Sequence, residues 1–189
     1  MRKRTSTSLL GVLLFLWPPR PGPAGEGVPP SVQANLLVRV APFDRSLSTL
    51  PQIQVLVVAR RDDPGSQHVA DAVYAALKNE TQIAGVPMQL ARIEVTSVPH
   101  LLSEIRGRKP SIVYLSTEFS RDAPAIAAGL DGEHLLTFAA ESEAVRGGIC
   151  VGFDLSFGRP QVLVHLEQSR RQHAKFQSGF LHLAKVVDQ

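Results

Sequence analysis

The chain has 189 residues, 44% of them hydrophobic and 20% charged, with a single cysteine, so it cannot form an intrachain disulfide framework. Its formal net charge is +3, but four of the 20 basic residues precede Glu26, the first acidic residue. Without that leader, 16 basic residues stand against 17 acidic ones, a net charge of −1. The apparent basicity belongs to the leader, and we predict no nucleic-acid partner.

Residues 1–26 have the layout of a secretory signal peptide and a Pro/Gly-rich leader. Residues 2–4 are basic, and the apolar run 9–17 is shorter than the ~20 residues that a membrane-spanning helix needs. We place the cleavage site between Ala24 and Gly27. The alternative is an uncleaved N-terminal membrane anchor. The layout predicts an exported protein.

After the leader, short apolar runs alternate with helical patterns. We predict helices over 31–40, 66–77, 99–106 and 123–130, with Ser31 and Ser66 as N-caps, and buried strands over 52–59, 88–95, 111–116 and 135–139. This alternation is typical of parallel βαβ units with right-handed crossovers. The sequence therefore predicts that residues 27–189 form a single three-layer α/β domain, with a mostly parallel sheet and helices on both faces.

The sequence pattern at the end of the chain predicts an antiparallel hairpin followed by a helix. Apolar residues alternate with others on both sides of Phe157 and Gly158, as in half-buried strands. A two-residue turn there places branched and aromatic side chains on one face, through three pairs: Phe153 with Val162, Val151 with Val164, and Ile149 with Leu166. Helical spacing of apolar residues then predicts a terminal helix over 177–187.

Three predicted loops follow strands, where ligands bind in parallel sheets: 60–66, 116–122 and 140–148. We predict that they form a cleft for a small polar or anionic ligand. Its candidate residues are Arg61, Asp63, Ser66, Thr117, Glu118, Arg146 and Gly147. Free N–H groups of the helix after Asp63 are the candidate anion site. The alternative is that these polar loops merely end strands.

Cys150 and His165 are cross-strand neighbours in the predicted hairpin. A thiol beside an imidazole indicates a reactive cysteine or half of a metal site. Two ligands do not make a structural zinc site, so we predict neither a metal nor a cofactor. The alternatives are a buried apolar filler, or an intermolecular disulfide through Cys150 in a homodimer.

Catalytic motifs are missing from the sequence. It contains no Gly-x-Ser-x-Gly elbow, Walker A loop, Gly-x-Gly-x-x-Gly fingerprint or His-Glu-x-x-His pair. We therefore predict a protein that is not an enzyme.

The C-terminal part of the chain resembles the YfiR-like family. The residues that carry the resemblance are Arg146-Gly147-Gly148, Gly152-Phe153, Gly158-Arg159-Pro160, 162–166, and Phe176 with 181–187. A weaker likeness covers 42–45 and 110–115. His165 stands where the family often has Asn, and this chain cannot form the intrachain disulfides of some members. The resemblance implies a bacterial periplasmic α/β sensor and regulator, and the best-known member type restrains a membrane-bound diguanylate cyclase.

The export layout and the resemblance together predict the function. We expect a periplasmic, non-enzymatic sensor or regulator that binds the periplasmic part of an inner-membrane signalling protein, a diguanylate cyclase or a sensor kinase, and modulates it. The alternative is a compact periplasmic small-molecule-binding protein that works with a transporter or receptor. Against that alternative, the chain is short for a two-lobed, hinged binding protein.

Overall fold

Eight strands and seven α-helices make up the domain, and a computed structural model describes residues 27–187. The predicted signal peptide and leader, 1–26, lie outside the described residues. The strands are β1 (Ile53–Arg60), β2 (Gln82–Ile83), β3 (Val86–Val95), β4 (Ile112–Leu115), β5 (Leu136–Ala139), β6 (Val151–Ser156), β7 (Arg159–Val164) and β8 (Lys185–Val186). The helices are α1 (Pro30–Val40), α2 (Pro64–Leu77), α3 (Val98–Arg108), α4 (Ala123–Gly129), α5 (Ser142–Arg146), α6 (Leu166–Arg171) and α7 (Ser178–Leu181).

All eight strands belong to one sheet, in the order β2-β3-β1-β4-β5-β6-β7-β8. The strands from β3 to β6 pair in parallel, whereas β2 and β7 are antiparallel to their neighbours β3 and β6. Since parallel neighbours need crossover connections, α2 to α5 link the central strands. The predicted α/β class, the mostly parallel sheet and the C-terminal hairpin are confirmed.

Successive side chains of β1 point to opposite faces of the sheet. Apolar residues on both faces of β1 therefore pack against a helical layer on each side. One buried cluster joins the strand to α1 and α2 through Ile53, Val55, Val57, Leu37 and Val73. The other joins it to α3 and α4 through Leu56, Val58, Leu101, Ile105 and Ile126. The predicted helical layers on both faces are therefore confirmed.

The hairpin between β6 and β7 has the predicted register. Val151 pairs with Val164 and Phe153 with Val162. The third predicted pair lies beyond the two strands, because β7 ends at Val164. Phe157 and Gly158 both have positive φ, 50° and 73°. Such a two-residue turn matches the right-handed twist of the strands, so turn geometry and side-chain pattern select the same register.

The predicted terminal helix over 177–187 is wrong. The segment contains the four-residue helix α7 and then β8, which pairs in parallel with the end of β7. Phe180 is anchored by stacking on Phe43, with ring centroids 4.8 Å apart. Leu183, which a continued helix would also bury, is 79% exposed. Contacts with a distant segment therefore override the helical spacing, as tertiary contacts often do.

Both predicted N-caps are wrong. Helix α2 is capped by Asp63, whose carboxylate accepts a hydrogen bond from the backbone N–H of Ser66. Helix α1 begins at Pro30, with Pro29 at the cap position. Proline is preorganised for a first helical turn, so the prolines, rather than Ser31 and Ser66, set the helix starts.

We predict that Gly158→Ala lowers the free energy of unfolding by about 1 kcal/mol, because an alanine is strained in the left-handed backbone region. Urea unfolding measures the change. Gly107→Ala is the matched control: its added Cβ meets nothing within 4 Å inside α3. It should stabilise the protein by about 0.5 kcal/mol. Equal effects of the two substitutions would contradict the proposed turn geometry.

Candidate functional site

The predicted loops meet at the carboxyl ends of the central strands and border two separate depressions. The larger, which we call the β4–β6 cleft, has a volume of about 630 Å³. Its lining comprises residues 27–30, Gln33, Val69, Thr117, Ser120, 140–143 and 153–155. The smaller, which we call the Arg60 depression, has a volume of about 330 Å³ and is lined by residues 60–63, 95–96, Glu118 and 121–122. Ligands of α/β proteins bind at this edge of the sheet.

A buried hydrogen-bond chain positions one wall of the β4–β6 cleft. The hydroxyl of Tyr114, in β4, donates to Gln33 Oε1 over 2.6 Å, and Gln33 Nε2 donates to the carbonyl of Val28 over 2.7 Å. Burial, and secondarily the charge of Glu141, raises the pKa of Tyr114 above its ordinary value. The phenol therefore stays protonated as a donor and fixes the start of α1 over the sheet.

Glu141 organises the opposite wall. One of its carboxylate oxygens, Oε2, accepts hydrogen bonds from the hydroxyl of Ser120 over 2.7 Å and from the backbone N–H of Glu118 over 3.2 Å. The loop after β5 is thereby tied to the loop after β4. Glu118 has a positive φ of 68° within this arrangement. The two loops therefore form a connected rim around the cleft.

The β4–β6 cleft is apolar in part and acidic in part. Val28, Val69, Phe153 and Leu155 supply apolar surface, and the described residues that line it include no Lys or Arg. Carboxylates come from Glu141, Glu143 and Asp154. Glu143 also pairs with Arg146, one turn along α5 and outside the lining. The fixed charges of the lining favour a ligand with a positively charged group over an anion.

The Arg60 depression is held rigid by one guanidinium. Arg60 Nε donates to the carbonyl of Glu118 over 3.2 Å, and Nη2 pairs with Asp122. The guanidinium carbon also lies 4.2 Å from the ring centroid of Phe119, a cation–π contact. Through these three contacts, Arg60 orders the loop after β4.

The predicted cleft residues are divided between these places. Thr117 lines the β4–β6 cleft, whereas Arg61, Asp63 and Glu118 line the Arg60 depression. Because Asp63 caps α2, its own carboxylate occupies the helix start that was the candidate anion site.

The other three predicted residues have structural contacts. Ser66 is buried, where its hydroxyl accepts from the N–H of Arg60 over 2.8 Å and lies 2.6 Å from the hydroxyl of Ser116. Arg146 pairs with Glu143. A Cβ at Gly147 would lie 2.7 Å from the Cβ of Ala123, so glycine permits close packing against α4.

Sequence reasoning missed the wall formed by residues 27–33 and the contribution of β6 to the cleft. Asp154 belongs to an ordinary alternating strand, and Gln33 to an ordinary helix. Gln33 and Tyr114 are 81 positions apart, so no local pattern links them. Only the folding of α1 onto the sheet brings them together.

The backbones of Cys150 and His165 are neighbours, since the N–H of His165 donates to the carbonyl of Cys150 over 2.8 Å. Their side chains have different partners. The Cys150 thiol donates to Gln172 Oε1 over 2.9 Å, and His165 Nδ1 accepts from the N–H of Gln168 over 3.2 Å at the start of α6. Burial raises the pKa of the Cys150 thiol, which keeps it neutral and weakly nucleophilic.

Two further findings concern residues 27–187. No group of three or more His, Cys, Asp or Glu side chains within them is arranged to hold a metal ion. No helix among them combines the length and apolar character required to cross a membrane.

Several solved structures share this fold. One is an ABC domain in complex with L-Trp from Streptococcus pneumonia, with a TM-score of 0.59, 10% identity, and coverage of 84% of this chain and 62% of that one. A substrate-binding protein with adhesive properties from Clostridium difficile, in a ligand-free, open form, has a TM-score of 0.59, 14% identity, and coverage of 83% and 59%.

A conserved domain protein from Vibrio cholerae has a TM-score of 0.60, 9% identity, and coverage of 85% of this chain and 60% of that one. The chain thus spans about six tenths of the length of each of these proteins. At these identities the likeness shows a shared fold alone. No curated protein matches the sequence significantly.

Residues 31–185 match the model of the YfiR/HmsC-like family, and the chain belongs to that family. The predicted resemblance is confirmed. The family is one of periplasmic regulators rather than enzymes.

We predict that Tyr114→Phe destabilises the protein by about 1–3 kcal/mol at pH 7, because Gln33 Oε1 loses its buried donor. Above pH 10, the unfolded wild-type chain releases the phenolic proton while the folded chain retains it. Wild-type stability should therefore fall as pH rises, and this fall should be smaller in the variant. Urea unfolding between pH 7 and 11 measures both effects.

Tyr74→Phe, at the protein's other tyrosine, is the control and should keep the wild-type pH dependence. Identical pH profiles for wild type and Tyr114→Phe would show that the buried phenol does not have the inferred role.

Proposed function

We propose that the protein is a non-enzymatic regulator that binds the periplasmic part of an inner-membrane signalling protein, a diguanylate cyclase or a sensor kinase, and modulates its activity. Membership of the YfiR/HmsC-like family supports the regulatory role. The observation that favours a protein partner is the placement of exposed apolar side chains.

Among the described residues, the exposed large apolar side chains are Phe157, Leu183 and Val186, with exposed fractions of 103%, 79% and 37%. All three lie on the β7–β8 side of the sheet: Phe157 at the hairpin tip, Leu183 just before β8 and Val186 within β8. We call this region the hairpin edge. Exposed apolar side chains that lie in one region indicate an interaction surface more strongly than scattered ones.

Unpaired backbone groups of β7 also favour binding at the hairpin edge. In the described chain β8 pairs with Leu163 and Val164, so the outer side of β7 from Arg159 to Val162 has no neighbouring strand. An extended partner segment would gain main-chain hydrogen bonds by aligning there, while apolar pockets on the partner receive the exposed side chains. We propose this edge as the surface that binds the membrane signalling protein.

In-cell photocrosslinking tests this surface. A photoreactive amino acid at position 157 or 183 should capture an inner-membrane cyclase or kinase, identified by mass spectrometry. The control is the same amino acid at Gln82, an exposed residue of β2 at the opposite edge of the sheet. Equal capture from both edges would contradict the assigned surface, and capture of a transporter alone would contradict the regulatory proposal.

A second candidate function is small-molecule binding in the β4–β6 cleft, by a compact periplasmic protein that works with a transporter or receptor. The cleft volume of about 630 Å³ lies in the range of ligand sites, and the fold is shared with a protein solved in complex with L-Trp. We propose that the carboxylates of the lining bind the ammonium group of an amine or amino acid.

The two functions are compatible, because β6 lines the cleft with Phe153, Asp154 and Leu155 and then continues to Phe157 at the hairpin tip. A ligand that contacts Asp154 is therefore three residues from the exposed edge. Differential ligand affinity for two hairpin arrangements would give the partner a ligand-dependent surface.

Melting temperatures measured with a panel of amino acids, polyamines and small anions test the cleft. Ammonium ligands should raise the melting temperature of the wild type, and Asp154→Asn should reduce the rise by about half or more, because it removes one attractive charge. Asp62→Asn, in the Arg60 depression, is the control and should retain the full rise. Stabilisation by anions alone would contradict the proposed ligand class.

A further inference from the structure

The hairpin edge carries positive charge beside its apolar side chains. Residues 156–164 and 181–187 contain one arginine, Arg159, one lysine, Lys185, and no acidic residue. Both side chains are exposed, and within residues 27–187 neither forms an ion pair. Their charges can therefore attract an acidic group of a partner.

The two basic residues lie on one face of the sheet. Residues two positions apart in a strand share a face, so Arg159, Gln161 and Leu163 point the same way. Lys185 is the β8 partner of Leu163 and points to that face as well. Asp154, opposite Gln161, lies one strand further in and lines the β4–β6 cleft. On this face, the two outer strands β7 and β8 therefore contribute positive charge alone.

The opposite face of the hairpin edge is apolar. Pro160, Val162 and Val164 alternate with the residues of the charged face, and Val186 is the β8 partner of Val164. Pro160 and Val186 are exposed, and Val162 is half-buried. A strand added along β7 would therefore have basic side chains beside one of its faces and apolar side chains beside the other.

Hydrogen bonding within the hairpin determines which backbone groups of β7 point outward. At one end of β7, the N–H of His165 donates to the C=O of Cys150 in β6. Hydrogen-bonded pairs alternate along an antiparallel ladder, so residues 159, 161, 163 and 165 direct their backbone groups to β6. Residues 160, 162 and 164 direct theirs outward. Pro160, which has no N–H, thus stands at an outward position, where prolines of edge strands are tolerated.

Two of these outward groups lie beyond the part of β7 that pairs with β8. The C=O of Val164 accepts from the N–H of Val187, at the end of β8. In the described chain β8 pairs with Leu163 and Val164, which leaves the N–H of Val162 and the C=O of Pro160 beyond it. An extended partner segment supplies both the acceptor and the donor that these groups need.

We propose that the hairpin edge binds an extended acidic segment of its partner, in which carboxylate side chains alternate with apolar ones. The segment pairs with the backbone of Pro160 and Val162, and its carboxylates lie beside Arg159 and Lys185. Its apolar side chains lie on the other face, because successive side chains of a strand point to opposite faces. This partner chemistry rests on the proposed function, which places the partner at this edge.

NMR titration of the protein, purified after export, with three peptides tests the charge of the segment. The first peptide is acetyl-Val-Glu-Val-Glu-Val-Glu-Val-amide, and the other two carry Gln or Lys in place of Glu. The Glu peptide should shift the amide signal of Val162 saturably. It should bind about fivefold more tightly than the Gln peptide and at least about tenfold more tightly than the Lys peptide, because exposed ion pairs each add a modest attraction. These differences should shrink in 1 M salt, where the Debye length is about 3 Å.

Equal binding of the Glu and Lys peptides would overturn the proposal, as would the absence of a saturable shift at Val162 with the Glu peptide. Equal binding of the Glu and Gln peptides at Val162 would overturn the acidic character of the segment and leave the proposed surface intact. Failure of the photoreactive amino acids at positions 157 and 183 to capture a membrane protein would instead contradict the proposed function, whatever the peptides do.

Charge-removing variants assign the attraction to the two basic residues. Arg159→Gln and Lys185→Gln should each reduce the preference for the Glu peptide over the Gln peptide about twofold, and the double variant should abolish it. Lys78→Gln, at an exposed position just after α2, is the control and should keep the wild-type preference. An unchanged preference in the double variant would overturn the assignment.

Amide hydrogen exchange on the same samples tests the backbone pairing. The N–H of Val162 should exchange rapidly in the free protein and at least about tenfold more slowly when the Glu peptide is saturating, because it then has an acceptor. The N–H groups of Gln161 and Leu163, which are directed to β6, should be protected in both states and serve as the control. Unchanged exchange at Val162 would overturn the addition of a strand at this edge.

Discussion

The hydroxyl of Tyr114 lies in the buried centre of the sheet, on the face covered by α1 and α2. A phenol in this position cannot be solvated by water, so it needs an acceptor from the protein. The acceptor is Gln33, whose own amide nitrogen then donates to the carbonyl of Val28. The prolines set the start of α1, and this chain of two hydrogen bonds ties that start to β4. It supplements the apolar packing of α1 in holding one wall of the β4–β6 cleft.

The β6–β7 hairpin carries the tip of the surface proposed to bind a partner. It is the part of the sheet where the parallel order ends, and its tight turn presents Phe157 to solvent. β6 passes the cleft at residues 153–155 and then leads to the exposed tip at Phe157. One hairpin therefore joins the proposed ligand cleft to the proposed partner surface.

The parallel strands and the hairpin register could be predicted because each depends on local pattern. Continuous apolar runs such as 112–115 fit strands that are covered on both faces, and the turn at Phe157–Gly158 permits one register. The capping of α2 could not be assigned from residue type alone, because Asp63 and Ser66 are both good caps and Ser66 is used elsewhere, in a buried contact with Ser116.

The features that depend on contacts between distant residues could not be predicted from local sequence patterns. The C-terminal segment has helical spacing, but Phe180 stacks on Phe43, more than a hundred positions away, and the chain then turns into β8. The Cys150 thiol likewise donates to Gln172, 22 positions away, while the side chain of His165 accepts from Gln168. In both places, long-range packing selects one of several structures that the local sequence permits.

Regulation of a membrane enzyme is tested most directly by reconstitution. The full-length membrane signalling protein captured in the envelope is placed in nanodiscs, and its cyclic-di-GMP synthesis or autophosphorylation is measured as the purified regulator is added. We expect the rate to change saturably with regulator concentration, and the change to require the apolar side chain at Phe157. A rate that stays constant at concentrations where the two proteins are bound would contradict the proposed function.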